Sequence, residues 1–296
     1  SMLGAIEDVL VKENPAWILV YGDTNSTLAG ALVAAKLKIP VAHVEAGLRS
    51  FNRNMPEEIN RVLTDHVSEL LFAPAQNAVR QLLREGIAAE RIIKVGDVML
   101  DTTLFYNEYN ERRHTIVAAM NLLDTSFVLA TIHRAENTDN PARLNHICKA
   151  LIELGGKQRI IFPMHPRTRA ALARLGNYRE LCRQINAQQL TIIDPVGYLD
   201  MLALERHASL IVTDSGGVQK EAYFNQVPCI TLRDETEWVE TVAAGWNRLC
   251  SPARPFSLVE FLQQEAHIPE KESTNLYGDG NAASRIVAAL KDFHRP

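Results

Sequence analysis

Short apolar runs rich in β-branched residues recur along the chain. They read WILVYG (17–22), PVAHVEA (40–46), ELLFAP (69–74), RIIKVG (91–96), FVLATIH (127–133), RIIFPMH (159–165), LTIIDP (190–195), SLIVTD (209–214) and PCITLRD (228–234). Most are apolar at successive positions rather than at every second one. A strand needs that pattern only when both of its faces are covered, so the sheets are expected to be parallel with helices on each side. Helical patterns fill the gaps, among them 26–37, 57–68, 75–85, 140–154, 167–175 and 217–225. The rhythm breaks at NEYNERRHT (107–115), which predicts two α/β domains, 1–115 and 116–296, with the last helix packing back on the first.

A chain of 296 residues, 47% hydrophobic, has enough material for two such cores. The net charge of −4 and the lack of a basic run argue against nucleic acid or an anionic membrane surface as partner. No stretch approaches the ~20 apolar residues that span a bilayer. Cys148, Cys182, Cys229 and Cys250 are widely spaced and read as reduced residues of a cytoplasmic protein. There is no Cys-x-x-Cys, no His-Glu-x-x-His and no dense carboxylate cluster, so no metal is expected; Gly-x-Ser-x-Gly and Walker sequences are missing too.

Polar residues gather where the apolar runs end: Asp23, Glu45, His133 with Arg134, His165, and Asp214 with Ser215. Open α/β sheets bind ligands outside the carboxyl ends of their strands, and two such domains face to face would line one cleft with these groups. TDSGGVQKEA (213–222) is a strand, Ser-Gly-Gly, then a helix. Ser215 can be a plain N-cap, but bare amides at Gly216 and Gly217 also make a seat for phosphate, with Glu221 placed to reach a ribose. Asp23 alone could be a helix cap, Glu45 a loop residue, and Glu57 in MPEEINR (55–61) a first-turn dipole partner. Three carboxylates at three element ends in one domain together suggest general acid–base chemistry.

GDTNSTLAGALVAAKLKIPVAHVEAGLRSFNRNMPEEINRVLTDH, HRAEN, DPVGYLDML, TDSGGVQKEA and NLYGDGNAASRI, in that order, resemble the non-hydrolysing UDP-N-acetylglucosamine 2-epimerases over essentially the whole chain. The resemblance implies a GT-B architecture of two Rossmann-like domains, a UDP-sugar substrate, a homodimer, and neither cofactor nor metal. It implies C2 inversion of UDP-N-acetylglucosamine, or of its 2,3-diacetamido uronate relative, by elimination and re-addition of UDP, in making surface-polysaccharide precursors. By position in the matched motifs, Asp23, Glu45, Glu57 and His133 are the expected catalytic residues. Arg61, Arg134, Ser215, Gly216, Gly217 and Glu221 are the expected substrate contacts.

Two features depart from the family pattern. The opening LGAIEDVLVKEN resembles a helix from the middle of the family's first domain, so that domain is expected to be incomplete and the chain alone a poor catalyst. RDETEWVE (233–240) carries Trp238-Val239 where common members have Arg-Pro. This suggests the diacetamido uronate branch, with Trp238 as a flat wall for a C3 acetamido group and Arg49, Arg53 or Arg134 as cation for the uronate. The alternatives are a non-catalytic UDP-sugar-binding protein and a GT-B glycosyltransferase, of which the latter should lack the three-carboxylate set.

Overall fold

The computed structural model describes all residues except 112, 114, 115, 177–182, 184–188, 265–274 and 294–296. The chain divides into two compact units, Ser1–Thr102 with Asn275–Pro296, and Thr103–Thr274. The division falls within the helix Val98–Glu111, and the polar stretch expected to separate the two series supplies that helix's last residues. Residues 107–111 of that stretch belong to the helix, and 112, 114 and 115 lie outside the described residues.

The first unit holds a four-stranded parallel sheet in the order β1 (Ile18–Tyr21), β2 (Val41–Val44), β3 (Leu70–Ala73), β4 (Ile92–Lys94). β2 and β3 are buried at every residue. Their side chains alternate between the faces: Ala42, Val44, Leu70 and Phe72 meet Ala282 and Ile286 of the C-terminal helix Ala282–Asp292, while Val41 and Leu71 join clusters with the helices opposite. Trp17 meets Phe293 edge-on at 5.1 Å on the same side as that helix. Tyr21 and Leu19 of the edge strand β1 are exposed.

The second unit holds six parallel strands, in the order β10 (Asn247–Leu249), β9 (Cys229–Thr231), β8 (Leu210–Thr213), β5 (Val128–Thr131), β6 (Ile160–Pro163), β7 (Leu190–Ile193). The continuous apolar runs resolve into two cores by residue parity. Val128, Ala130, Ile160, Phe162, Val212 and Ile230 pack against Leu144, Ile147 and Leu151 of the helix Pro141–Gly155. Phe127, Leu129, Ile161, Ile211 and Cys229 pack on the other face with Ala203, Leu204 and Ala222. β10 is too short and too mixed, Asn-Arg-Leu, to stand out in the sequence. Among the described residues no helix is long and apolar enough to cross a membrane.

Candidate active site

In the first unit, strand β1 ends at Gly22-Asp23, and Thr24 caps the next helix, Asn25–Lys36. Strand β2 ends at Glu45, whose φ of 73° places a non-glycine residue in the left-handed region. Such conformations cost about 1 kcal/mol or more and cluster at functional sites. Gly22 has φ 65°, and a Cβ there would lie 3.4 Å from Oε2 of Glu45. The Glu45 carboxylate therefore covers the turn that presents Asp23. The helix Pro56–Val67 adds the third acid: Glu57 lies in its first turn, after a proline that suits a helix start.

Arg61 follows Glu57 by four residues and so shares its helix face. Its Nε and Nη2 donate to Asp23 Oδ2 at 3.0 and 2.7 Å, and its Nη1 donates to Glu58 Oε2 at 2.8 Å. Arg61 thus ties the Asp23 turn to the helix that carries Glu57. Asn60 adds bonds to the Asp23 carbonyl (2.8 Å) and Asn25 Oδ1 (3.0 Å). Glu58, buried, accepts from the Ser50 and Phe51 amides at 2.9 and 3.0 Å and anchors the loop leading into the helix. Of the two adjacent glutamates, Glu58 is occupied by the fold, whereas Glu57 is half-buried.

Behind these acids lies a buried polar chain. His43, in the middle of β2, has Nδ1 2.6 Å from Asp65 Oδ1 and Nε2 2.8 Å from the Gly22 carbonyl. Asp65 also accepts from Gly47 N at 3.1 Å and from Arg49 Nη2 at 2.8 Å, and Arg49 forks onto Glu85 at 2.8 and 2.7 Å. Burial pushes the Asp65 carboxyl up, but the bonds and charges of His43 and Arg49 outweigh it and hold the group below the usual carboxylate range. Arg49 is buried, so it is no cation for a substrate uronate; its charge serves Asp65 and Glu85.

In the second unit, β5 ends at His133-Arg134 and β8 at Asp214-Ser215. Asp214, fully buried, accepts from His133 N (2.9 Å), Arg134 N (3.0 Å) and Asn137 Nδ2 (3.0 Å), which fixes the loop between β5 and the short helix Ala135–Thr138. The His133 ring lies 5.5 Å from that of His165. Burial lowers its pKa; Asp214 works the other way, and His165, Arg134 and Arg167 add to the lowering. His133 is therefore biased toward neutral imidazole.

Ser215 caps the helix Gly216–Phe224, its Oγ accepting from Val218 N at 3.5 Å. The first amides of a helix, here those of Gly216 and Gly217, have no partner within the helix, and the dipole there favours an anion. A Cβ on Gly216 would lie 2.8 Å from Glu237 Oε1, 3.5 Å from Trp238 Nε1 and 3.7 Å from Arg134 Nη2. A side chain at Gly216 would have to displace the Glu237 carboxylate, and Arg134 brings a cation to the same helix end.

Trp238 is buried, its ring 4.2 Å from Nζ of the buried Lys220 and its indole N–H edge toward Gly216. The flat wall expected for a sugar acetamido group is thus enclosed within the unit, with only its edge at the helix start. Glu221 is buried one turn into the same helix and pairs with the Tyr198 hydroxyl. Beside it lies Glu205, wholly buried, with neither oxygen hydrogen-bonded; burial and then the Glu221 charge push its carboxyl well above the ordinary range. Sequence reasoning missed Asp65, His43, Glu205, Lys220 and Glu237. The one available signal was charged residues standing inside apolar periodicity, as in PVAHV and MLALERHA. Among the described residues no group of three or more His, Cys, Asp or Glu is placed to hold a metal.

Residues 1–291 match a family profile described as UDP-N-acetylglucosamine 2-epimerase. The chain belongs to that family. It is 50% identical over 295 residues to a UDP-N-acetylglucosamine 2-epimerase homolog of Methanococcus maripaludis, covering 99% of this chain and 80% of that protein. It is also 50% identical over 292 residues to the UDP-2,3-diacetamido-2,3-dideoxy-D-glucuronate 2-epimerase of Pseudomonas aeruginosa, covering 98% and 78%. Among solved structures, the Methanocaldococcus jannaschii UDP-GlcNAc 2-epimerase in complex with UDP-GlcNAc and UDP matches with a TM-score of 0.87 at 47% identity, over 98% of this chain and 79% of that one. The two parallel-sheet units of this epimerase-family chain are accordingly of the GT-B class.

Proposed function

We propose that the chain is a UDP-sugar 2-epimerase, acting on UDP-N-acetylglucosamine or on its 2,3-diacetamido uronate relative. The observation that carries this reading is the gathering of Glu45 over the Gly22-Asp23 turn, with Arg61 drawing the start of the Glu57 helix to the same place. Carbon 2 of the sugar has no adjacent carbonyl, so its proton is not acidic enough for simple removal. One carboxylate takes that proton as the C1–O bond breaks, C1=C2 forms and UDP leaves with the bonding pair. A second acid then returns a proton to the opposite face, and UDP adds back at C1. Asp23, Glu45 and Glu57 supply the base and the acid; removal and return from opposite faces needs more than one such group. Arg61 holds Asp23 in place rather than contacting the substrate.

The second unit takes the nucleotide. The Gly216 and Gly217 amides and the Arg134 guanidinium receive the diphosphate, whose charge grows as it departs, and preorganised N–H groups stabilise that growth. Ser215 shapes the helix start, His133 faces the leaving group and sugar, and Glu221 takes the ribose. No metal or cofactor enters the scheme. A homodimer in the reducing cytoplasm fits the family and the buried free cysteines Cys148, Cys229 and Cys250. Comparing kcat/KM for the two sugars decides the substrate, since relatives named for each stand at equal identity. The non-catalytic reading predicts UDP binding with turnover of neither sugar. A glycosyltransferase would consume UDP-sugar only with an acceptor present.

A further inference from the structure

Asp65 lies on the helix Pro56–Val67, two turns beyond the Glu57 position, and is fully buried. One carboxylate there reaches both turns that present the other two acids. Oδ1 holds His43, whose opposite nitrogen meets the Gly22 carbonyl just before Asp23; Oδ2 holds the Gly47 amide, two residues after Glu45. The ring is a rigid strut between a helix and the end of the neighbouring strand. Arg49 and Glu85 complete the buried network around Asp65. Both turns contain glycines at positive φ, Gly22 at 65° and Gly47 at 85°, and Glu45 itself is at 73°. Turns of that kind keep their shape only when the surroundings hold them. At Gly47 a Cβ would lie 2.5 Å from the Ala78 carbonyl, so that turn is also clamped from outside.

We propose that Asp65, acting through His43 and the Gly47 amide, is the positioning residue that sets Asp23 and Glu45 relative to the Glu57 helix. This rests on the assignment of those three acids to the C2 chemistry. Neither Asp65 nor His43 touches substrate; their effect is on the aim of the acids, where displacements of about 1 Å can cost on the order of a hundredfold in rate.

The experiment uses the whole chain with Asp65→Asn and His43→Gln. Asparagine has the same shape but cannot accept from His43, Gly47 and Arg49 together. In Asp65→Asn, amide hydrogen exchange should speed up at least tenfold at residues 22–24 and 45–49, with the rest of the first unit within threefold of wild type. In His43→Gln the loosening should be confined to 22–24. With UDP-N-acetylglucosamine, kcat should fall at least thirtyfold in Asp65→Asn, with KM and UDP affinity changed less than threefold. Uniform loosening of the first unit, protection at both turns equal to wild type, or a kcat within threefold would overturn the proposal. If the wild-type chain turns over no UDP-sugar, the functional reading fails, but the amide-exchange pattern still decides whether Asp65 holds the two turns. If Asp65→Asn does not fold, His43→Gln alone decides by the same two readouts.

Discussion

Glu205 offers a test of the second unit that needs no substrate. It sits on the helix Tyr198–His207 and faces Glu221 of the Gly216–Phe224 helix and Cys229 of β9, whose thiol burial raises to about 12; Tyr198 shares its own helix. With no hydrogen bond to either oxygen and a charged neighbour, the folded state keeps Glu205 protonated where the unfolded chain has released that proton. Unfolding then releases one proton. Stability contributed by the neutral form is fully present below the unfolded carboxylate pKa and declines as pH rises toward the folded one. The slope is at most about 1.4 kcal/mol per pH unit, so two units cost the second unit up to ~3 kcal/mol. For a unit of this size that is roughly 6–12 °C in Tm. Glu205→Gln removes the titration while keeping the shape. In a Trp17→Phe background the fluorescence of Trp238 and Trp246 reports the second unit alone, and its melting midpoint can be followed from pH 5 to 8. Wild type should lose stability relative to Glu205→Gln as pH rises. Parallel curves would refute the reasoning, whatever the offset between them.

Four further outcomes are expected. Gly216→Val, whose Cβ must displace Glu237 and crowd Arg134, should weaken UDP binding at least tenfold by calorimetry. Glu221→Ala should lose charge-assisted ribose bonds worth about 1–3 kcal/mol of UDP affinity, read in the same titration. Arg61→Met leaves Glu58 buried without its ion-pair partner and should cost about 3–5 kcal/mol in urea denaturation, beyond any effect on rate. Trp238→Arg places a second cation beside the buried Lys220 ammonium, so it should lower the Tm of the second unit by several degrees rather than exchange one sugar for another.

Strand ends were readable because burial on both faces forces unbroken apolar runs, and a polar residue that ends such a run stands out. That is how Asp23, Glu45, His133 and Ser215 could be found. The role of Arg61 was only half legible: its place after Glu57 was visible, while its grip on Asp23 depends on β1 and the Pro56–Val67 helix meeting in space. Arg49 was a candidate cation for a substrate uronate because its acceptors, Asp65 and Glu85, lie 16 and 36 residues further along the chain and leave no local sign. Trp238 shows the same limit in reverse, since an aromatic beside a charged run reads as a surface wall until Lys220 is seen packed on its ring. Long-range polar pairing leaves no periodicity, and that is why Asp65 escaped notice.

The fate of one hydrogen tests the epimerase activity most directly. Incubated with UDP-N-acetylglucosamine in deuterated water, and in parallel with the diacetamido uronate sugar, the chain should incorporate solvent deuterium at C2 of one of them as the epimer forms. Asp23→Asn, Glu45→Gln and Glu57→Gln should each abolish or greatly slow that exchange while UDP still binds. Tight UDP binding by wild type with protium retained at C2 in both sugars would contradict the epimerase reading.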